Sequence, residues 1–498
     1  MNQTISTLIV FFLTLATGWS QPVETESSDR YYLRFDSTDT GRIHVTAQLY
    51  LEDSLLYMSP YGPMPERWPQ YIHNLSVKSV DGKALPVGKT GETTWVVSGT
   101  GRGEEVALSY EMVLEHEQIA WPGGIDGVAY VRDWGVMASG RSLFVMNGKD
   151  KKDIQVRVET PGAWDVSASW PTADGAEKTY RAGNLLTLQE SFVVVGTHEE
   201  ANITRDGFTL KFVLGGDQVK GEKSRYTQVA MGVMDYYIRL MGGIPKPAPG
   251  MELTQSLVII GQSGNVDGEV IGNHISMFMN PEGSPMDQMI GWFMFAHEFF
   301  HLWNGKTLRF ANTTTDWFKE GISNYYTIKA LKQTGFINED IVLAMLNNLF
   351  YQRYIQDPGY GTLSPSRAAS GFDKDNHWGL VYGGGLFAGI AMDMEIRQRT
   401  DNSSSLDDLM RDFYKQYGAT DQLIRQDDIV TKANQLGLTD FTGLLREHIQ
   451  GPAPISLAPY LKFAGVLADT TQGQLQLTHI PEKTGLQEAI WNGFLGAN

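Results

Sequence analysis

HEFFHLWNGKTLRFANTTTDWFKEG, residues 297–321, sets two histidines four apart with a glutamate beside the first. A second glutamate follows nineteen residues after the second histidine. On a helix, positions four apart share a face about one turn apart, so His297 and His301 can aim both imidazoles at one ion. Glu298 lies one residue round, close enough to reach a water on that ion without being a ligand. Catalytic zinc takes three protein ligands and a water. Glu320 is the natural third ligand, inside WFKEGISNYYTIKA, whose aromatic and apolar spacing reads as another buried helix. The competing reading is a solvated helix face. Trp292, Phe293, Phe295, Phe299, Phe300 and Trp303 flank the histidines and fit that reading poorly. Two imidazoles and a carboxylate buried among such residues are unfavourable without partners, and one zinc ion supplies them.

Around this stretch the text is helical. TQVAMGVMDYYIRLM reads as a helix stopped by GGIPKPAPG, LTQSLVIIG as a strand, and MDQMIGWFMFAHEFFHLWNG as the helix carrying both histidines. Further helical runs continue to residue 450. DPGYGTLSPSRAASGFDKDNHWG, residues 357–379, is a long Gly- and Ser-rich loop, of a length that often carries function. Before residue 205 the character is different: YYLRF, RIHVTAQLYL, EVALSYEMVL and DIQVRVE are short, alternating runs broken by Gly, Asp and Asn. The expected fold is α+β and multidomain. A β-sandwich-like domain (21–205) precedes a mostly helical domain (206–450), and a short β-like tail (451–498) follows.

The 498 residues are too many for one ordinary core. A net charge of −17 argues against nucleic acid and against an anionic membrane surface as partners. Cysteine is absent, which excludes thiol catalysis and thiolate zinc sites. The apolar run from Leu8 to Ala16, followed by Gly18 and Ser20, reads as a signal peptide over residues 1–20. A periplasmic or secreted protein, without stable membrane insertion after cleavage, is expected.

The HExxH motif with a glutamate nineteen residues on resembles the gluzincin pattern of alanyl-type aminopeptidases and leukotriene hydrolase. HLWNGK and WFKEGISNYY resemble more closely the glycyl aminopeptidase family of PDZ-tailed zinc metallopeptidases. MGGIPKPAPGMELTQSLVIIG, VYGGGLFAGIAMDMEIR and YMSPYGPMPERWPQYIHNLSV extend the likeness over most of residues 30–450. The resemblance implies a thermolysin-like catalytic domain and a peptide substrate. It implies His297, His301 and Glu320 as zinc ligands, Glu298 as general base and Tyr382 as oxyanion donor. It also implies a Gly-rich edge strand carrying a glutamate for the substrate's free amine. In EVIGNHISMFMN, residues 269–280, Gly272 and Asn273 occupy the expected substrate-binding place, Asn273 replacing the glutamate. An amide cannot pair fully with an ammonium, and Glu269 is a possible stand-in. His274 is expected to be a strand residue and not a ligand, and Asn324 a group that orients the imidazoles. The chain ends where the family continues into a PDZ module, so the tail is at most a relic of one. A non-catalytic binding protein on this fold and a non-peptide zinc hydrolase remain the alternatives.

Overall fold

The computed structural model describes residues 28–36, 39–60, 65–114, 129–173, 175–251, 253–264, 266–370 and 373–497. The expected signal segment lies outside them. Among the described residues no helix is long and apolar enough to cross a membrane.

The alternating runs near the N-terminus become a seven-stranded sheet, ordered Thr179–Asn184, Lys152–Glu159, Arg30–Phe35, Arg42–Tyr50, Glu105–Val113, Ile72–Ser79 and Ala84–Leu85. RIHVTAQLY illustrates why. Its Ile43, Val45, Ala47 and Leu49 are buried at every second position while the residues between them are not, the period of a half-buried strand. Two four-stranded sheets share the core of this layer. The pairing is antiparallel except where Arg30–Phe35 runs parallel to Lys152–Glu159.

A five-stranded sheet then begins the second unit, ordered Glu199–Arg205, Phe208–Gly215, Gln255–Gln262, His274–Met279 and Asp267–Ile271. Its central pairs are parallel and its two edges antiparallel. The boundary expected at residue 205 falls inside the hairpin formed by the first two strands, so this sheet starts a few residues earlier. Tyr130, Trp134 and Phe192 of the N-terminal unit pack on one face of it, against Val213, Leu257 and Phe278. The opposite face meets the helix Pro285–His301, whose Phe295 and Phe299 stack on Phe212 at 6.2 Å each.

That helix carries the two histidines. Ser284 caps it and exchanges bonds with Asp287, and Pro285 sits at the first turn, where its missing N–H matters least. The helix Asp316–Gln333 carries Glu320 and is buried almost throughout. Its far side rests on a buried polar cluster: Lys329 Nζ to Asp407 at 2.7 Å, Tyr325 Oη to Asp393 at 2.6 Å, and Arg397 Nε to Asp393 at 2.7 Å. The helix Gly385–Arg399 crosses it at backbone contact. A Cβ at Gly321 would collide with the backbone of Gly385, and one at Gly385 with the carbonyl of Trp317.

The tail differs from its expected β character. Val466–Asp469 and Gln476–His479 form a short hairpin, but Gly485–Phe494 is a helix, opened by a Thr484–Gln487 capping box. Ile490, Trp491, Phe494 and Leu495 join the core of the second, helical unit. Gln333 Nε2 donates to the Leu495 carbonyl at 2.9 Å, and Trp491 Nε1 to Glu339 at 2.9 Å. The last turns are therefore a buttress for the helix that carries Glu320.

Candidate active site

His297 and His301 stand one turn apart with their Nε2 atoms 3.0 Å from each other. Glu320 Oε2 lies 3.1 Å from His301 Nε2 and 3.5 Å from His297 Nε2. The ring tautomer of His301 follows from its partner. Nδ1 lies 2.9 Å from the Asn304 carbonyl, which can only accept, so Nδ1 carries the proton and Nε2 keeps its lone pair. Tetrahedral zinc with bonds near 2.05 Å sets its donor atoms about 3.3 Å apart. The three atoms match that triangle, so the residues present fit the ion.

Glu298 also places a carboxylate oxygen within 4.8 Å of both imidazoles and competes on distance for the third ligand position. Charge separates the two acids. Burial would raise Glu320, but Lys374 and Lys319, with Nζ atoms 3.2 and 3.3 Å from Oε1, hold its carboxyl well below the usual range. Oε1 is thus engaged and Oε2 faces the histidines. Burial pushes Glu298 up to about 7, with Glu320, Asp267 and Glu269 adding to the effect and His297 opposing it. One acid is fixed as an anion; the other is poised to exchange a proton near neutrality. Gly268 leaves room for Glu298 on the edge strand, since a Cβ there would sit 3.1 Å from its Cγ.

Tyr382 lies in a π-helical segment, Gly379–Gly384, whose ring stacks on Trp378 at 5.2 Å and 4°. Its ring centroid is 6.3 Å from that of His297. The long loop before it is stapled by Asp357, which accepts from Gly359 N and Leu380 N and pairs with His377 Nδ1 at 2.8 Å. That loop delivers Lys374 to Glu320. Asn324 does not reach either imidazole. Its Nδ2 donates to the Tyr382 carbonyl at 3.2 Å, while Asn304 orients His301.

A cavity of about 300 Å³ joins these groups, lined by Glu298, His301, Glu320, Lys374 and Tyr382 on the helical side and by Gly268, Glu269 and Val270 on the edge strand. Gly272 and Asn273 do not line it. They form the two-residue turn of the edge hairpin, where Ile271 pairs with His274. Gly272 N donates to Glu190 of the N-terminal unit at 3.0 Å, and Asn273 is buried with its carbonyl accepting from Ser256. The pair expected to contact substrate thus sits at the hairpin tip, and the strand presents Glu269 to the cavity. His274 is buried too, its Nδ1 accepting from Leu257 N at 3.1 Å, which makes it a core residue. Lys306, Lys319 and Lys374 also line the cavity and were not singled out in the sequence. Nothing in their local spacing marks them; only the fold gathers them.

Two stretches match models of one family. Residues 64–197 match the Peptidase M61 N-terminal domain, and residues 292–404 match M61 glycyl aminopeptidase. Among solved structures, an aminopeptidase N family protein from Idiomarina loihiensis is 19% identical, with a TM-score of 0.76 over 89% of this chain and 79% of that one. A mutant M1 zinc metallopeptidase from Deinococcus radiodurans, bound to a Tyr-Ser-Ala substrate, is 13% identical, with a TM-score of 0.53 over 86% and 94%. Legionella pneumophila aminopeptidase A in complex with aspartic acid is 10% identical, with a TM-score of 0.51 over 84% and 48%. At these identities the likeness is one of fold. No curated protein matches the chain.

Proposed function

Because the chain belongs to the M61 glycyl aminopeptidase family, a family of peptidases, we propose that it is a zinc-dependent aminopeptidase. The observation that carries this reading is the triangle of His297 Nε2, His301 Nε2 and Glu320 Oε2 beside an acid of raised pKa. When bound there, zinc supplies Lewis acidity to the attacking water and the scissile carbonyl.

The chain's own residues do the rest. Glu298 takes a proton from the attacking water and returns it to the leaving amine, a task suited to a buried carboxyl that neighbouring acids help to hold above its ordinary range. Tyr382 donates its hydroxyl to the carbonyl oxygen as negative charge develops there. Glu269 accepts the substrate's α-ammonium from the edge strand, a role supported by its place in the cavity lining. Lys374 and Lys319 keep Glu320 ionised. Export to the periplasm or the exterior is part of the proposal and rests on the apolar segment from Leu8 to Ala16.

The test is hydrolysis of matched peptides with free and acetylated N-termini by zinc-loaded wild type and Glu298→Gln. Cleavage of the free series by wild type alone is expected. Equal inactivity of both proteins favours a binding protein, and equal cleavage of acetylated peptides removes the aminopeptidase assignment.

A further inference from the structure

Three lysines line the cavity of a chain whose net charge is −17. Lys319 and Lys374 are engaged with Asp316 and Glu320. Lys306 stands apart. It follows Gly305 in the turn after the motif helix, and its Nζ donates to the Val270 carbonyl at 2.9 Å. The ammonium therefore lies along the strand that presents Glu269. A lysine has three donors, and among the described residues no carboxylate forms an ion pair with this one.

Two acids act on it through their charge, Glu190 and Glu269, and neither forms an ion pair with it among the described residues. Glu190 binds Arg141 through both oxygens, at 2.8 and 2.6 Å, and also receives Gly272 N. Burial lowers Lys306 to about 8, and Arg141 adds to that, while Glu190 and Glu269 oppose it. A half-buried ammonium with no carboxylate in direct contact is unfavourable, and an anion brought by a ligand relieves it. The edge strand is where a bound peptide would extend, so the ligand's anion arrives on the substrate.

Resting on the peptidase reading, we propose that Lys306 is a specificity determinant that receives a carboxylate of the peptide substrate. That carboxylate is either the side chain of an acidic N-terminal residue or the terminal carboxylate of a dipeptide. The chemistry at Lys306 is the same in both.

Binding separates the two sources without turnover. Zinc-loaded Glu298→Gln protein, with Lys306 intact or changed to Met or Arg, is titrated calorimetrically with Asp-Ala-amide, Asn-Ala-amide, Ala-Ala and Ala-Ala-amide. With Lys306 intact, at least one carboxylate peptide should bind ~10- to 100-fold more tightly than its uncharged counterpart. Asp over Asn assigns the side chain; free over amidated Ala-Ala assigns the terminus. Lys306→Met should bring that ratio toward one, and Lys306→Arg should retain most of it, which a merely structural role would not produce. A ratio that survives in Lys306→Met, no preference in either pair, or no measurable binding of either carboxylate peptide overturns the proposal. Failure of the wild type to hydrolyse any peptide is a separate result. It sinks the peptidase reading and leaves the binding ratios readable.

Discussion

Glu298 is the residue whose surroundings say most. Its carboxyl is raised from 4.5 to about 7, first by burial and then by neighbouring acids. On unfolding it becomes the stronger acid, so the stability it contributes is full below about pH 4.5 and is lost as pH rises through 7. For the metal-free protein the loss is about 3 kcal/mol across that window. Urea melts of metal-free wild type and Glu298→Gln at both ends should therefore diverge in slope against pH, with Glu298→Gln flatter. Parallel slopes would mean that this carboxyl is not held neutral by its site. Tyr382→Phe removes one hydroxyl from the cavity; kcat should fall by roughly 10²- to 10³-fold with zinc content unchanged. An undiminished rate would place the oxyanion donor elsewhere. At this scale the sequence was most legible where spacing alone fixes geometry, as for His297 and His301. It was silent on Lys306 and Lys374, because an ammonium's partners come from segments far apart in the chain.

Two helices meet where neither has a side chain. Gly321 and Gly385 let the helix bearing Glu320 cross the one following Tyr382 at backbone distance, and both side chains line the same cavity. Gly321→Ala should destabilise the protein by roughly 1–3 kcal/mol through overpacking and lower kcat along with it. Thermal unfolding and steady-state rates check both, and an unchanged melting point would show that the crossing relaxes freely. The helix of the two histidines was read from MDQMIGWFMFAHEFFHLWNG, and the structure adds the cap that Ser284, Pro285 and Asp287 form at its start. The edge hairpin was misjudged although a signal existed: Gly272-Asn273 between EVI and HIS is a two-residue turn pattern. Reading it as continuous strand placed Asn273 in the cleft and left Glu269 as the lesser candidate. The long loop at residues 357–379 was recognised as unusual, but its content, a lysine carried to Glu320, needed the Asp357 staple to be seen.

Across the whole molecule, the site depends on parts remote from it. The N-terminal unit holds the tip of the edge hairpin through Glu190, itself fixed by Arg141, so the β-rich domain shapes the cleft that the helical domain serves. The tail supports the other side: Phe494 packs 5.8 Å from Tyr325 on the helix of Glu320. Deleting residues 485–498 removes Ile490, Trp491, Phe494 and Leu495 from the core. At about 1.5–3 kcal/mol for each buried side chain, stability should fall by roughly 6 kcal/mol or more, and zinc affinity with it. Denaturant titration and metal competition would show this; a truncated chain with unaltered values would make the tail an appendage. Residue periodicity foresaw a sheet-rich part and a helical part because strand and helix periods differ. It could not foresee the tail's role, since ten residues of helix reveal their partner only through contacts made more than a hundred residues away.

The central claim is a place in space for one ion. A zinc-edge anomalous difference map from crystals of the zinc-loaded protein locates that place directly. The account requires a single strong peak about 2.0–2.2 Å from His297 Nε2, His301 Nε2 and a Glu320 oxygen, with Glu298 beyond bonding distance. A peak bound by Glu298 in place of Glu320, or no peak between the imidazoles, would contradict it.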